Sequence, residues 1–367
     1  MAEKAIRLGG ESTADAIVSA VDAMYTEHAF AEKDFALKHN EDEISVDTNF
    51  AAQNFWKEAL IRFFNKKSAV LGLILIVVIV LLAVFGPGMN SYTYSGQDLS
   101  QKNFAPRVPG IEQFGILDGS EKMSTTTGTK VTNAYQEKDK PDVYYWFGSD
   151  LYGRDIWTRT WEGARVSLII AVAAAIIDMV IGMSYGLISG YFGGRVDMVM
   201  QRFLEVANGI PRLVIVTLLL LVLQPGMVTI IFALMLTEWV GMSRIARAEM
   251  LKLKDQEFVL ASRTLGAGSF FIIFKEVLPN IIGPIITQVM FSIPTAIFTE
   301  AFLSFVGLGI PVPQCSLGSL ISELYNSFTT HPYQIIPPIV VMSLLMLSFN
   351  LVADGLREAL DPKMKSM

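Results

Sequence analysis

The sequence predicts an all-α, polytopic membrane protein with six transmembrane helices and cytoplasmic N- and C-termini. Three observations carry this. Hydrophobic residues make up 52% of the 367 and charged residues only 17%, with a mean hydropathy of +0.44, outside the range of ordinary soluble domains. Apolar stretches recur along the chain, and a hydrocarbon core about 30 Å thick needs roughly 20 apolar helical residues to cross it. Lysine and arginine collect at alternate junctions between those stretches, the bias that orients membrane proteins.

The first span is SAVLGLILIVVIVLLAVFG (68–86), which carries no charge. The second, 166–188, carries one, Asp178. The third is 210–223 extended backwards, and the turn Gln224-Pro225-Gly226 separates it from the fourth, 226–242. The fifth, 281–309, is overlong and expected to kink at Pro294, because proline removes a helical hydrogen bond. The sixth is 335–355. Lys57, Arg62, Lys66 and Lys67 precede the first span, Arg195 and Arg202 lie between two and three, and Arg244, Arg247, Lys252, Lys254, Arg263 and Lys275 lie between four and five. Arg357, Lys363 and Lys365 follow the sixth, whereas the turn at 224–226 and the loop 307–334 carry no lysine or arginine. The long loop of about 87–165 is therefore external, although Arg154, Arg159 and Arg165 dissent within it.

Residues 1–66 form a polar, acidic extension ahead of the transmembrane domain 67–367, too long before the first span for a cleavable signal peptide. STAD (12–15) fits a capping box followed by Ile17, Val21 and Met24 at helical spacing, so a short amphipathic helix and a mostly disordered tail both stand. At its end, Phe55, Trp56, Ala59, Leu60 and Phe63 share one face of a basic helix that suits the lipid interface.

Several chemistries are excluded. A single cysteine, Cys315, allows no internal disulfide, and His28, His39 and His331 are scattered without metal-site spacing. There is no Walker A or GxGxxG pattern, so no cofactor is expected in this chain. A net charge of −6 argues against nucleic acid as a partner.

The region of about 244–279 is too polar to span and too ordered for a connector. Asp255 can cap a short helix with Glu257 in its first turn. Phe258, Ala261 and Leu265 share a stripe, Gly266-Ala267-Gly268 supplies a C-cap, and Ser269 can cap a second short helix leading to Leu278-Pro279. Small Ala261, Ser262 and Gly266 beside Leu260 and Arg263 leave a low surface suited to a partner's groove; the alternative is a loop that only joins two spans. Ahead of the second span, Trp157 and Trp161 suit an interfacial aromatic face, and Asp150, Arg154 and Asp155 can pair among themselves, as an outer-gate brace, a binding-protein dock or a rim helix. Within the membrane, Asp178 and Glu300 must face protein or a water-filled path, since an ionised group at mid-bilayer costs roughly 2.5–3.5 kcal/mol on insertion scales. They either line a path or gate or make buried structural contacts, and Glu238 is equally open. Gly182, Gly186 and Gly190 repeat every four residues, a spacing that lets another helix approach, from this subunit or a second one.

These stretches resemble the permease subunits of bacterial ABC importers. Leu260-Ala261-Ser262, Gly266 and Glu276-Val277-Leu278-Pro279 stand at the spacing of that family's EAA motif, with Leu260 in place of the glutamate. FGSDLYGRDIWTRTWEGARVSL (147–168), with Asp150, Gly153, Arg154, Asp155, Arg159 and Arg165, is similar to a signature of the dipeptide and oligopeptide C-type permeases. GYFGGRVD (190–197), TEAFLSFVGLG (299–309) and NLVADGLREALDPK (350–363) resemble later blocks, whereas the acidic extension and the insertion around 119–142 are atypical. The resemblance implies an ABC importer permease fold in the bacterial cytoplasmic membrane and di- or oligopeptide import by alternating access. It further implies a second permease subunit, two cytoplasmic ATPases that bind ATP and Mg and dock on the segment around Gly266, and an extracytoplasmic substrate-binding protein. Nickel, glutathione or another small solute are alternative cargoes. An ion-coupled secondary transporter and a non-transporting scaffold are the rival classes.

Overall fold

The structure is a computed structural model that describes residues 18–19, 23, 55–125 and 128–360. The capping box at 12–15 and Ile17, Val21 and Met24 lie outside the described residues. The chain divides into two compact units, Met1–Gln53 and Asn54–Met367. The second holds the helices that can cross a membrane.

Among the described residues, five helices are long and apolar enough to do so: Lys67–Gly88, Ile156–Phe192, Met227–Leu253, Ser269–Leu308 and Pro332–Leu360. In finer detail the chain runs α1 (Phe55–Asn65), α2 (Lys67–Phe85), a hairpin of β1 (Ser120–Thr125) and β2 (Gly128–Asn133), and the single turn α3 (Ala134–Glu137). Then come α4 (Ile156–Ile177), a π-helical turn at Asp178–Gly182, α5 (Met183–Phe192), α6 (Gly194–Gly209), α7 (Arg212–Val222), α8 (Met227–Thr237) and α9 (Trp239–Leu253). The remainder is α10 (Glu257–Thr264), α11 (Ser269–Phe271), a π turn at Ile272–Val277, α12 (Leu278–Leu303), a π turn at Ser304–Leu308, α13 (Leu317–Tyr325) and α14 (Ile336–Leu360).

Glycines fix how these helices pair. A Cβ on Gly72 would lie 2.8 Å from the Ser348 carbonyl, and one on Gly355 2.3 Å from the Ala69 Cβ, so α2 and α14 run antiparallel at close range. Gly182, Gly186 and Gly190 instead meet Met242, Ser243 and Met250 in rising order, so α5 and α9 run parallel. That decides the span count. The chain leaves α5 at Phe192 and must return to the start of α8 at the opposite end, so the intervening segment has to recross. It does so bent: α6 and α7 meet at 78°. The third span, 210–223 extended backwards, is thus a bent pair of helices rather than one helix. Ile210 is extended ahead of Pro211, as residues before proline are, and α7 alone covers only about 16 Å.

The fifth span is also longer than its apolar run. Its helix begins at Ser269 rather than 281, and Pro284 and Pro294 sit inside it without a sharp break. The second short helix expected after the glycine corner is therefore the first turn of a 40-residue element. A core of Ile170, Ala174, Leu234, Ile297, Leu317 and Leu345 ties α4, α8, α12, α13 and α14 together. A second, of Leu187, Met242, Met250, Val259, Ile273 and Ile281, seals the end that carries the basic residues. At that end Phe63 of the amphipathic helix α1 packs with Ala69, Val352 and Ala359, so α1 folds with the spans.

The opposite end is capped by residues 89–125 and 128–155. Phe104, Tyr135 and Tyr145 form a small aromatic core there, and Tyr135 donates to the Ala105 carbonyl at 2.7 Å. Glu121 on β1 contacts the His331 ring at 2.9 Å, joining the hairpin to the segment before α14.

Candidate functional site

Three sites emerge. The first is the corner after α10. The 6→1 and 5→2 bonds of a Schellman motif are both present: Ala267 N–H donates to Ser262 O at 3.0 Å and Gly266 N–H to Arg263 O at 3.1 Å. Gly266 has φ +82°, a left-handed conformation that favours glycine, whereas Gly268 is extended at φ −69°. The expected caps are displaced by one residue. Gln256 and Gly268 hold the N-cap positions instead of Asp255 and Ser269, with no side-chain bond at either. Val259 is the inward anchor, packed with Ile272, Ile273 and Val277, and Leu278 is half-buried beside them. Phe258, Leu260, Ala261, Gly266 and Pro279 are exposed, Ser262 is half-buried, and Arg263 lies 5.4 Å over the Tyr191 ring. Leu265 is 87% exposed at the tip, with Phe270 and Phe271 exposed nearby. A solvated loop would not present leucine and phenylalanine together, so this apolar surface suits a protein partner.

The second site is a polar cavity of about 260 Å³ between the spans. Asp178, Arg212, Glu238, Arg244, Gln288 and Ser292 are among its lining residues. Asp178 Oδ2 accepts from Ser292 Oγ at 2.5 Å, and Glu238 pairs with Arg212 at 2.8 Å. The π turn starting at Asp178 and the Gly182 contact with Trp239 and Met242 hold that carboxylate against packed backbone. Glu300 does not join it. Glu300 is fully buried and accepts from Ser304 at 2.7 Å, Ser316 at 2.5 Å and Ser167 at 3.2 Å, so three hydroxyls tie α4, α12 and α13 around one carboxylate.

The third is an ionic brace under the outer layer. Asp150 Oδ2 accepts from Arg154 Nε and Arg159 Nη1, each at 2.7 Å. Glu323 of α13 pairs with both arginines, accepting from Arg159 Nη2 at 2.6 Å. Burial alone would raise the Glu323 carboxyl, but the Arg159 and Arg154 guanidiniums hold it below its ordinary value. Asp155 does not pair with Arg154 as expected. It caps α4, accepting from Thr158 N–H at 2.8 Å and from Asn90 at 2.8 Å, and burial pushes its carboxyl up. Gly153 is the hinge of this loop: at φ +71°, a Cβ there would sit 1.9 Å from the Asp98 carbonyl. Arg165 donates to the Ala83 and Val84 carbonyls at 3.0 Å, closing the C-terminus of α2. Trp157 and Trp161, expected on an interfacial face, turn inward: Trp157 Nε1 donates to Gly86 O at 2.9 Å and Trp161 is buried against Gly86.

Sequence reasoning missed Glu323, Gln334, Arg212 and Arg244 as site residues. Gln334 donates to Asn103 Oδ1 and to the Ser149 carbonyl, linking the outer layer to the start of α14. Arg212 carried a signal, a cation at the edge of an apolar run, and Glu238 was its counterpart.

Comparison with known proteins adds two family models and a set of relatives. Residues 182–366 match the family described as binding-protein-dependent transport system inner membrane component. Residues 54–106 match the N-terminal TM domain of oligopeptide transport permease C. The oligopeptide transport system permease protein OppC of Bacillus subtilis is 41% identical over 312 residues, 85% of this chain and 91% of its own. The dipeptide transport system permease protein DppC of the same organism is 38% identical over 332 residues, covering 90% and 93%. DppC of Lactococcus lactis subsp. cremoris is 42% identical over 318 residues, covering 85% and 92%.

Proposed function

Because the chain belongs to the binding-protein-dependent transport system inner membrane components, we propose how its three sites work as the permease subunit of a peptide ABC importer. The relatives named above carry peptide transport in their names, which does not favour the nickel, glutathione or ion-coupled alternatives. A second permease completes the path, two ATPases bind ATP and Mg, and a substrate-binding protein delivers peptide to the outer layer. The basic end and both termini face the cytoplasm.

The observation that carries the coupling is the continuity of the helix behind the Schellman corner. An ATPase that seats on Leu265 and its neighbours pushes on an element that runs from Ser269 through Pro284 and Pro294 and stays helical until the kink at Gly307. That element carries Gln288 and Ser292 into the polar cavity, so motion at the corner reaches the path without a flexible joint. Affinity purification of the tagged chain in mild detergent tests the assembly. Two P-loop ATPases and a second permease are expected in the eluate, and recovery of the chain alone counts against it.

Leu265→Arg separates docking from folding, since the side chain is almost entirely exposed. Loss of a central apolar anchor typically costs about 2 kcal/mol or more, so ATPase retention should fall roughly 30-fold with an unchanged melting temperature. Gly266→Val strains the left-handed corner by about 1–2 kcal/mol without a clash, because no atom lies within 4 Å of the new Cβ. Partial loss of peptide uptake with ATPase still bound is the expected result, measured in proteoliposomes.

A further inference from the structure

We propose that Asp178 is the acceptor for a peptide's ammonium group as the cargo passes the middle of the membrane, an inference that rests on the peptide-importer reading. Asp178 is only 4% exposed, yet it lines the cavity. One of its oxygens is held by Ser292, while Oδ1 is buried with no hydrogen-bond partner among the described residues. Buried carboxylate oxygens are almost always satisfied, and an unpaired one in a low-dielectric setting is costly. The other acid in the cavity is already committed. Glu238 pairs with Arg212 at 2.8 Å and accepts from Thr299 at 3.4 Å.

An ammonium group supplies what Asp178 lacks, a positive charge with three N–H donors in a compact head. Arg244 lines the same cavity with no ion pair or hydrogen bond among the described residues, which leaves a guanidinium for peptide carbonyls or a carboxylate. The cavity is smaller than the roughly 300–1,000 Å³ of a drug-sized site, so it fits one end of a peptide and not the whole. The π turn beginning at Asp178 adds a second mark, since such turns cluster at functional positions.

The ammonium could come from the peptide's amino terminus or from a lysine side chain. Saturation-transfer NMR on the complete importer in nanodiscs, without binding protein, separates them. The probes are trialanine, N-acetyl-trialanine and an N-acetylated tripeptide containing lysine. Wild type should bind trialanine at least tenfold more tightly than its acetylated form, and Asp178→Asn should bring the two to the same weak affinity. Tighter binding of the lysine peptide than of N-acetyl-trialanine assigns side-chain ammonium as well. Asp178→Glu, keeping the charge, should restore discrimination, which a merely structural role would not require. Equal binding of free and acetylated trialanine by wild type overturns the proposal without reference to any variant, as does wild-type discrimination by Asp178→Asn. ATP-driven trialanine uptake by wild-type proteoliposomes is run alongside. Its absence sinks the importer reading together with this inference, whereas its presence with no discrimination sinks the inference alone.

Discussion

Replacing Gly186 with leucine removes the folded protein from the membrane fraction. A Cβ at that position lies 2.1 Å from the Ser243 carbonyl oxygen, 2.8 Å from the Ala246 Cβ and 2.8 Å from the Arg247 nitrogen. Two of those three atoms are backbone, which no rotamer change can move aside. Overpacking in a well-filled core costs about 1–3 kcal/mol where side chains can yield, and here α5 and α9 would have to separate. Their contact also positions Asp178 and Glu238, so the cavity is lost with it. Fluorescence-detected size-exclusion of the tagged chain reads the outcome: a near-complete loss of the monodisperse peak for Gly186→Leu. Gly241→Ala is the control, because no atom lies within 4 Å of its added Cβ, and its peak should match the parent. A normal peak for Gly186→Leu would mean that the row faces lipid.

Arg159→Ala is expected to cost about 3–5 kcal/mol, since removing one member of a buried ion pair leaves uncompensated charge behind. Arg159 has no exposed surface and bonds Asp150 and Glu323 together. The same network gives a pH dependence of defined sign. Glu323 has a folded pKa below its ordinary value of 4.5 because the two guanidiniums outweigh its burial. A depressed folded pKa means that its stabilisation is complete above about 4.5 and disappears as pH falls through the lower folded value. Thermal unfolding in detergent should therefore show a midpoint that drops on acidification below that point. Glu323→Gln should lower the midpoint at neutral pH and flatten the drop. An acid profile identical in Glu323→Gln and the parent would contradict the assignment.

How much of the molecule was legible in advance depends on the range of each signal. The apolar runs of α2, α8–α9 and α14 are local, and so is the corner at Gly266, where one glycine at positive φ is enough to mark the end of α10. The outer signature placed Asp150, Arg154 and Arg159 near one another, but not Glu323, which bonds Arg159 across 164 residues of chain. Nothing in a lone glutamate of a polar loop points to an arginine so far away. The glycine row announced a close contact without naming the partner, because small residues carry no chemistry of their own; α9 supplies it. Asp178 and Glu300 looked alike as isolated acids in apolar stretches. Packing divides them, since Glu300 gathers three serines while Asp178, which lines a cavity, keeps a buried oxygen without a hydrogen-bond partner among the described residues. The bend between α6 and α7 escaped because Arg212 opens an apolar run that looked continuous with what precedes Pro211.

The most direct measurement is uptake of a labelled peptide by proteoliposomes holding the complete complex and its binding protein. Uptake should require ATP on the side of the membrane that carries the ATPases, persist when ionophores collapse the proton gradient, and disappear with Leu265→Arg. Uptake that survives without ATP and collapses with the gradient would contradict the assignment of this chain as an ATP-driven peptide permease.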